Sequence, residues 1–312
     1  MVDYQDTACR IGWAELPGAV RAGIEQVLGD AVCEVVDQRG GFSHGVAARI
    51  RTVGNAAVFV KAIEAGDGLA PVYRAEARVA GGLPATAPAA RCRFAEEIEG
   101  WFVAGFDDVA GAYPRLSEPE ELRDTLDLVA RLATELTPSP LTDVPTMAEA
   151  YGPVLVGWRE YAADGPPPDL DSWSVRHLTA LAELEATWSV HAAGDTLLHT
   201  DLRPDNLLRR ADGVVLAVDW AWACRGAAWI DLVALAPSIA AAGVDPEPIL
   251  ATHPVTRDVD PAAVDAFVCA LAGYWAAACR KPGPPRSPRL RARQAAYARL
   301  AGDWLACRLG GE

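Results

Sequence analysis

Residues 197–208 read LLHTDLRPDNLL, and residues 214–220 read VVLAVDW. Apolar flanks bracket a polar core of His199, Asp201, Arg203, Asp205 and Asn206, and a second apolar run delivers Asp219. The pattern predicts strands near 206–210 and 214–218 around an Asp212-Gly213 turn. Asp201 and Asn206 are five positions apart, which one tight loop can turn onto a single cleft. Asp219 lies 18 positions after Asp201, enough for a short hairpin to fold it back beside them. Three oxygen-bearing side chains on such pieces suit a hard divalent cation held beside a general base. Magnesium-dependent phosphoryl transfer asks for that combination.

Upstream, DQRGGFSHG (37–45) is a glycine-rich loop between two strand-like runs, AVCEVV (31–36) and VAARIRT (46–52). A Gly54-Asn55 turn leads to a third, AAVFVKAI (56–63). Strand, glycine loop, strand, turn, strand predicts an antiparallel sheet rather than the βαβ unit of a dinucleotide fold. An amphipathic helix is expected over 14–28, another over 69–81 with Glu76 at its middle, and further strands over 90–98 and 101–106. The chain has only two lysines, Lys61 and Lys281, and all other basic residues are arginine. Lys61 interrupts an apolar run, where a charge needs a partner or a ligand. The plain alternative is a strand residue pointing to solvent.

Beyond residue 114 helical patterns dominate, at 117–136, 147–163, 172–193, 229–242, 261–280 and 287–308. The expected organisation is an N-terminal nucleotide-binding lobe (1–106), a hinge (107–114), and a C-terminal lobe (115–312) with the catalytic loop, metal site and substrate-binding helices. The fold class is α+β, with a cleft between the lobes.

At 312 residues the chain can bury roughly 75% of the surface of its unfolded form. A net charge of −14 argues against nucleic acid or an anionic membrane as the main partner. The seven cysteines are scattered without a C-x-x-C pair, so reduced thiols and no metal cluster are expected. No basic start followed by an apolar segment is visible, and 261–279 carries Asp265 and reads as a buried helix, so a cytoplasmic protein is expected.

Each requirement of phosphoryl transfer has a candidate. Gly40, Gly41 and Gly45 let backbone approach phosphates, with Ser43 as a possible donor or a plain turn residue. Lys61 would grip phosphate oxygens, held by Glu76. Asn206 and Asp219 would ligate Mg²⁺, and Asp201 would be the base. His199 reads as structural, its ring bonding backbone to fix the loop. Arg203 would face the transferring phosphoryl group or serve as a surface ion-pair partner. Asp260 and Asp265 lie in a region suited to meeting a cationic substrate, and the tryptophans of the second lobe read mostly as core.

The sequence resembles the aminoglycoside phosphotransferase and choline kinase-like branch of the protein kinase fold. The resemblance rests on His199-Thr-Asp201 through Asn206, Val218-Asp219-Trp220, Ile230-Asp231-Leu232, Lys61 with Glu76, and the GGFSHG loop. It implies ATP or GTP bound at the hinge near Phe106, Asp107 and Val109. It also implies Asp201 as base, Asn206 and Asp219 as metal ligands, and Asp231 orienting the catalytic loop. Thr200 stands where protein kinases place arginine, and Trp220-Ala221 follows Asp219 in place of Phe-Gly. About ten residues separate Asp219 from Asp231, which leaves no room for an activation loop. A small hydroxylated molecule is thus expected as acceptor, with no protein partner. An antibiotic leads, aminoglycoside-like or a nucleoside or peptide compound, in a resistance role. The chain ends RLGGE, without the acidic aromatic C-terminus of some aminoglycoside kinases.

The alternative is a kinase of a primary metabolite such as a sugar, amino alcohol or hydroxy amino acid. Two remoter classes are a catalytically dead nucleotide-binding module and a serine hydrolase. The hydrolase rests on Gly41-Phe-Ser43-His-Gly45, which matches G-x-S-x-G, with His253 completing a triad.

Overall fold

A computed structural model of the chain describes residues 9–41 and 43–310. Five strands, β1 (Val32–Asp37), β2 (Val46–Thr52), β3 (Ala57–Glu64), β4 (Cys92–Ile98) and β5 (Trp101–Asp107), form one sheet of order β1-β2-β3-β5-β4. Every neighbouring pair is antiparallel. The period of two along β3 sorts its side chains between two layers. Val58, Val60 and Ala62 pack with Val20 and Ile24 of α1 (Gly18–Leu28). Ile63 packs with Tyr73, Ala77 and Ala80 of α2 (Ala70–Gly82), together with Phe102, Ala104 and Phe106 of β5. Lys61 shares parity with Ile63, so it belongs to the α2 layer and is buried rather than solvent-facing. The expected helix over 14–28 is interrupted by Pro17. A 3₁₀ turn, Trp13–Glu15, precedes α1.

After β5 the chain runs to α3 (Pro119–Glu135), and on the way Ala112 exchanges both backbone hydrogen bonds with Arg209. Short helices follow: α4 (Met147–Tyr151), α5 (Gly157–Asp164), α6 (Ser172–Arg176), α7 (Leu178–Glu185) and α8 (Trp188–His191). Two of the long helices expected from sequence are therefore broken. Gly152-Pro153 splits the first, because proline withholds an amide and disfavours helix before it. At the second break, buried Glu185 accepts the Trp158 and Arg159 amides at 3.1 and 3.0 Å, capping the start of α5.

Two ribbons carry the polar loop. β6 (Thr196–Leu198) pairs with β9 (Cys224–Gly226), and β7 (Leu207–Arg209) pairs with β8 (Val215–Ala217). Then come α9 (Ile230–Ala241), α10 (Glu247–Thr252), α11 (Pro261–Ala278) and α12 (Leu290–Arg308). Among the described residues α11 is the one helix long and apolar enough to cross a membrane, but it packs against α5, α7, α8, α9 and α12. The result is an antiparallel sheet lobe preceding a mainly helical part, as the sequence implies.

Candidate active site

The polar loop leaves β6 at Leu198 and is fixed from several sides. Asp231, in the first turn of α9, accepts the backbone amides of His199 at 2.9 Å and Thr200 at 2.7 Å. Thr200 has φ +64°, a left-handed conformation that a β-branched residue seldom adopts. Its hydroxyl meets Tyr151 Oη at 2.6 Å and donates to the Trp222 carbonyl at 2.9 Å. His199 is fully buried, its Nε2 at 2.9 Å from the Val218 carbonyl and its Nδ1 at 3.3 Å from the Asp201 amide. One neutral tautomer, protonated at Nε2, satisfies both contacts. The ring packs 4.7 Å from that of Trp220.

Asp201 follows, and two neighbours hold its carboxylate. Arg203 Nη1 lies 2.8 Å from each carboxylate oxygen. Asn206 Nδ2 donates to the Asp201 carbonyl at 2.8 Å and to Oδ2 at 3.0 Å. With Nδ2 committed to Asp201, Asn206 Oδ1 remains the amide's acceptor. Arg203 also forks onto Asp205 at 2.8 and 3.0 Å, so it is a clamp between two carboxylates. Local pattern alone assigns Asp205 no part, although RPDN places it two positions from Arg203.

Asp219, at φ +67°, comes off β8 toward the sheet. Lys61 Nζ sits 3.3 Å from Asp219 Oδ1 and 2.7 and 2.8 Å from the two Glu76 oxygens. One lysine thus joins α2, β3 and the loop after β8. Burial opposes its charge, but the Asp219 and Glu76 carboxylates hold its pKa above the ordinary lysine value. Burial pushes Glu76 up to about 7, against the pull of Lys61. Burial likewise raises Asp201, only partly offset by Arg203. Asp219 goes the other way: the cations of Lys61 and Arg203 outweigh burial and hold it below the usual carboxylate range. Neighbouring carboxylates pushed in opposite directions suit different tasks, one taking a proton and one staying charged.

Part of this cluster opens on a cavity of about 360 Å³, within the range of small-molecule sites, while Asp201 and Arg203 are not among its lining residues. Lys61, Glu76, Asn206 and Asp219 line it, with Phe106, Asp107 and Val109 where the nucleotide is expected. The Asp107 side chain is turned to β4, accepting from the Arg91 amide at 3.0 Å and from Arg93 Nε at 2.7 Å. Asp108 accepts both arms of Arg49, at 2.7 and 3.0 Å, tying the start of the connection to β2.

The glycine loop divides differently from expectation. Gly40 and Gly41 line the cavity, Gly41 at φ +88°. Ser43 instead accepts a hydrogen bond from Tyr73 Oη at 3.0 Å. Gly45 is tucked under the sheet, where a Cβ would stand 2.5 Å from the Ala62 carbonyl and 2.6 Å from the Tyr73 hydroxyl. Ser43 is followed by strand β2, not the helix a nucleophile elbow requires. His253 is buried with Nε2 on the Leu126 carbonyl, so the hydrolase alternative is set aside. Asp260 caps α11 and Asp265 pairs with Arg308, so both acids expected to meet a cationic substrate are already engaged. Among the described residues no group of three or more His, Cys, Asp or Glu side chains is disposed to hold a metal by itself. Asn206 and Asp219 offer two oxygens, a set that fits magnesium completing its shell with water and phosphate.

Solved structures of low sequence identity share the fold. The choline kinase LicA from Streptococcus pneumoniae is 15% identical, covers 92% of this chain and 98% of its own, and superposes with a TM-score of 0.62. A thermostable mutant of aminoglycoside phosphotransferase APH(4)-Ia, in ternary complex with ADP and hygromycin B, is 13% identical over 94% of this chain and 100% of its own, TM-score 0.62. Amicoumacin kinase hAmiN, in complex with AMP-PNP, Ca²⁺ and Ami, is 10% identical over 90% of this chain and 93% of its own, TM-score 0.55. No curated protein matches by sequence. The family model of the APH phosphotransferase enzymes matches residues 39–308, and the chain therefore belongs to the phosphotransferase enzyme family.

Proposed function

We propose that the protein transfers the γ-phosphoryl group of ATP or GTP, as its magnesium complex, to a hydroxyl of a small molecule in the cytoplasm. The observation that carries this reading is the joining of Lys61 to both Glu76 and Asp219 beside the clamped Asp201. Lys61 and the Gly40-Gly41 backbone hold phosphate oxygens. Phe106, Asp107 and Val109 border the nucleobase, Asp107 through its backbone. Asn206 and Asp219 hold the metal, which when bound neutralises charge on the transferring phosphates. Asp201 accepts the proton of the attacking hydroxyl, while Arg203 fixes its carboxylate and supplies positive charge beside it. His199 and Asp231 hold the loop. Glu76 aims Lys61.

The acceptor is an antibiotic or a related hydroxylated compound, and its modification would serve resistance. Arginines crowd the base: Arg203 touches Asp201, and Arg293 of α12 lies 3.7 Å from Asp205. Each is matched by carboxylates, Arg203 by Asp201 and Asp205 and Arg293 by Asp205, so the charge beside the base does not choose between a cationic and a neutral acceptor. The second reading is a kinase of a primary metabolite such as a sugar, amino alcohol or hydroxy amino acid. The deciding experiment incubates the protein with ATP or GTP, Mg²⁺ and a panel of hydroxylated compounds, scored by mass gain of one phosphoryl group. The kinase reading fails if no compound is modified and Asp201→Asn leaves background triphosphate hydrolysis unchanged.

A further inference from the structure

Arg10 lies outside the span that matches the family, which begins at residue 39, yet it lines the cavity beside Gly40, Gly41 and Lys61. Its Nε donates to the Gly40 carbonyl at 2.9 Å and its Nη1 to the Gly45 carbonyl at 3.1 Å. Its Nη2 packs so close to Gly41 that a Cβ there would stand 2.6 Å away. The segment carrying it is anchored at both ends. The Cys9 amide donates to the Arg286 carbonyl at 3.0 Å, in the loop before α12, and the Trp13 amide donates to Asp37 Oδ1 at 2.9 Å, at the end of β1. The segment therefore straps the helical part to the root of the glycine loop.

The charges around the cavity single out Arg10. Three cations line it: Arg10, Arg49 and Lys61. Arg49 is bonded to Asp108, and Lys61 to Glu76 and Asp219. Among the described residues Arg10 bonds to carbonyls, which leave its charge uncompensated. Its field nevertheless reaches the site, opposing in small part the burial that raises the Glu76 carboxyl and the Tyr113 hydroxyl. A guanidinium presents its donors as a planar fork suited to phosphate oxygens. With Nε and Nη1 bonded to the loop carbonyls, the Nη2 amino group, packed against Gly41 at the cavity wall, keeps N–H donors for a phosphate oxygen.

We propose that Arg10 is a phosphate-binding residue of this enzyme, a second cation beside Lys61, delivered by the N-terminal strap. The proposal rests on the nucleotide-dependent reading above. A triphosphate bonded to Arg10 would rest on a strap that is itself bonded to the glycine loop and to the Arg286 carbonyl in the loop before α12.

The test is calorimetric titration of the full chain with Mg·ATP, Mg·GTP, adenosine and guanosine, for wild type, Arg10→Gln and Arg10→Lys. Gln keeps a donor for the loop carbonyls and removes the charge. Triphosphate affinity is expected to fall roughly 10–100-fold in Arg10→Gln, the range for a charge-assisted hydrogen bond. Nucleoside affinity should hold within about twofold, and Arg10→Lys should recover part of the loss. Equal loss for nucleoside and triphosphate would make Arg10 a loop strut, and no loss for either would place it outside the site. Both results overturn the proposal and leave the kinase reading standing. Wild type that binds neither triphosphate nor nucleoside at millimolar concentration overturns both.

Discussion

Asp231 and Thr200 meet at 2.7 Å, the carboxylate Oδ1 accepting the amide of a residue held at φ +64°. Such a conformation costs on the order of 1–3 kcal/mol and persists only where the surroundings enforce it. Here the enforcement comes from the first turn of α9, and it acts on the residue immediately before Asp201. Asp201, the proposed base, is therefore aimed by a helix that begins about thirty residues later in the chain.

Asp231→Asn should expose this dependence. The amide offers one acceptor where two backbone amides need bonds, leaving a buried donor unpaired at a cost of ~1–3 kcal/mol in stability. The loop would relax, and a displacement of the base by about 1 Å is enough for a loss of ~100-fold in kcat. The Michaelis constant for the nucleotide should change little, because Lys61, Gly40 and Gly41 lie on other elements. Urea unfolding and steady-state kinetics measure both effects. Wild-type kcat in the variant would remove Asp231 from the positioning of Asp201.

Lys61→Met gives a pH-dependent outcome. Glu76 is buried, and burial already pushes its carboxyl up to about 7 with Lys61 opposing. Without Lys61 its folded pKa rises further above the unfolded value of about 4.3. A raised folded pKa means that the native state holds a proton which the unfolded state releases. The variant is therefore most stable at acid pH and loses up to about 1.4 kcal/mol per pH unit from about 4.3 up to that raised value. The double variant Lys61→Met/Glu76→Gln lacks the group and should lose this slope. Denaturation midpoints at pH 5 and pH 8 distinguish them, and identical slopes would show that Glu76 is not the titrating group. Phosphotransfer should be lost at both pH values.

Much of this was legible in local sequence, and the limits were physical. A charge interrupting the apolar run of β3 marked Lys61 but left open whether it faced a partner or solvent, and the spacing of Asp201, Asn206 and Asp219 implied one loop and one hairpin. What local pattern could not carry was pairing at a distance. The contacts of Arg10 with Gly40 and Gly45, and of Arg49 with Asp108, span 30 to 59 positions and leave no periodic trace. Strands β6 and β9, three residues each, are too short to alternate. The loop glycines looked alike in sequence, yet Gly41 faces the cavity and Gly45 faces the β3 backbone. The Ala62 carbonyl of β3 and the Tyr73 hydroxyl of α2, both distant in sequence, separate them.

Gly45→Ala tests that division. A Cβ would stand 2.5 Å from the Ala62 carbonyl, and β3 cannot retreat because Ala62 is paired with Val46 on one side and Val103 on the other. The expected cost is ~1–3 kcal/mol, that of overpacking a tight site. Gly18→Ala is the control: nothing lies within 4 Å of a Cβ at that position, and it stands at the start of α1, where alanine is neutral or mildly stabilising. Adding Tyr73→Phe to Gly45→Ala removes the hydroxyl 2.6 Å away but leaves the carbonyl, so it should recover only part of the loss. Thermal unfolding of the three variants decides the matter. Because Arg10 bonds to the Gly45 carbonyl, the displaced loop should also weaken Mg·ATP binding, whereas Gly18→Ala should leave it unchanged. A Gly45→Ala protein that melts and binds like wild type would mean that the loop, not β3, yields.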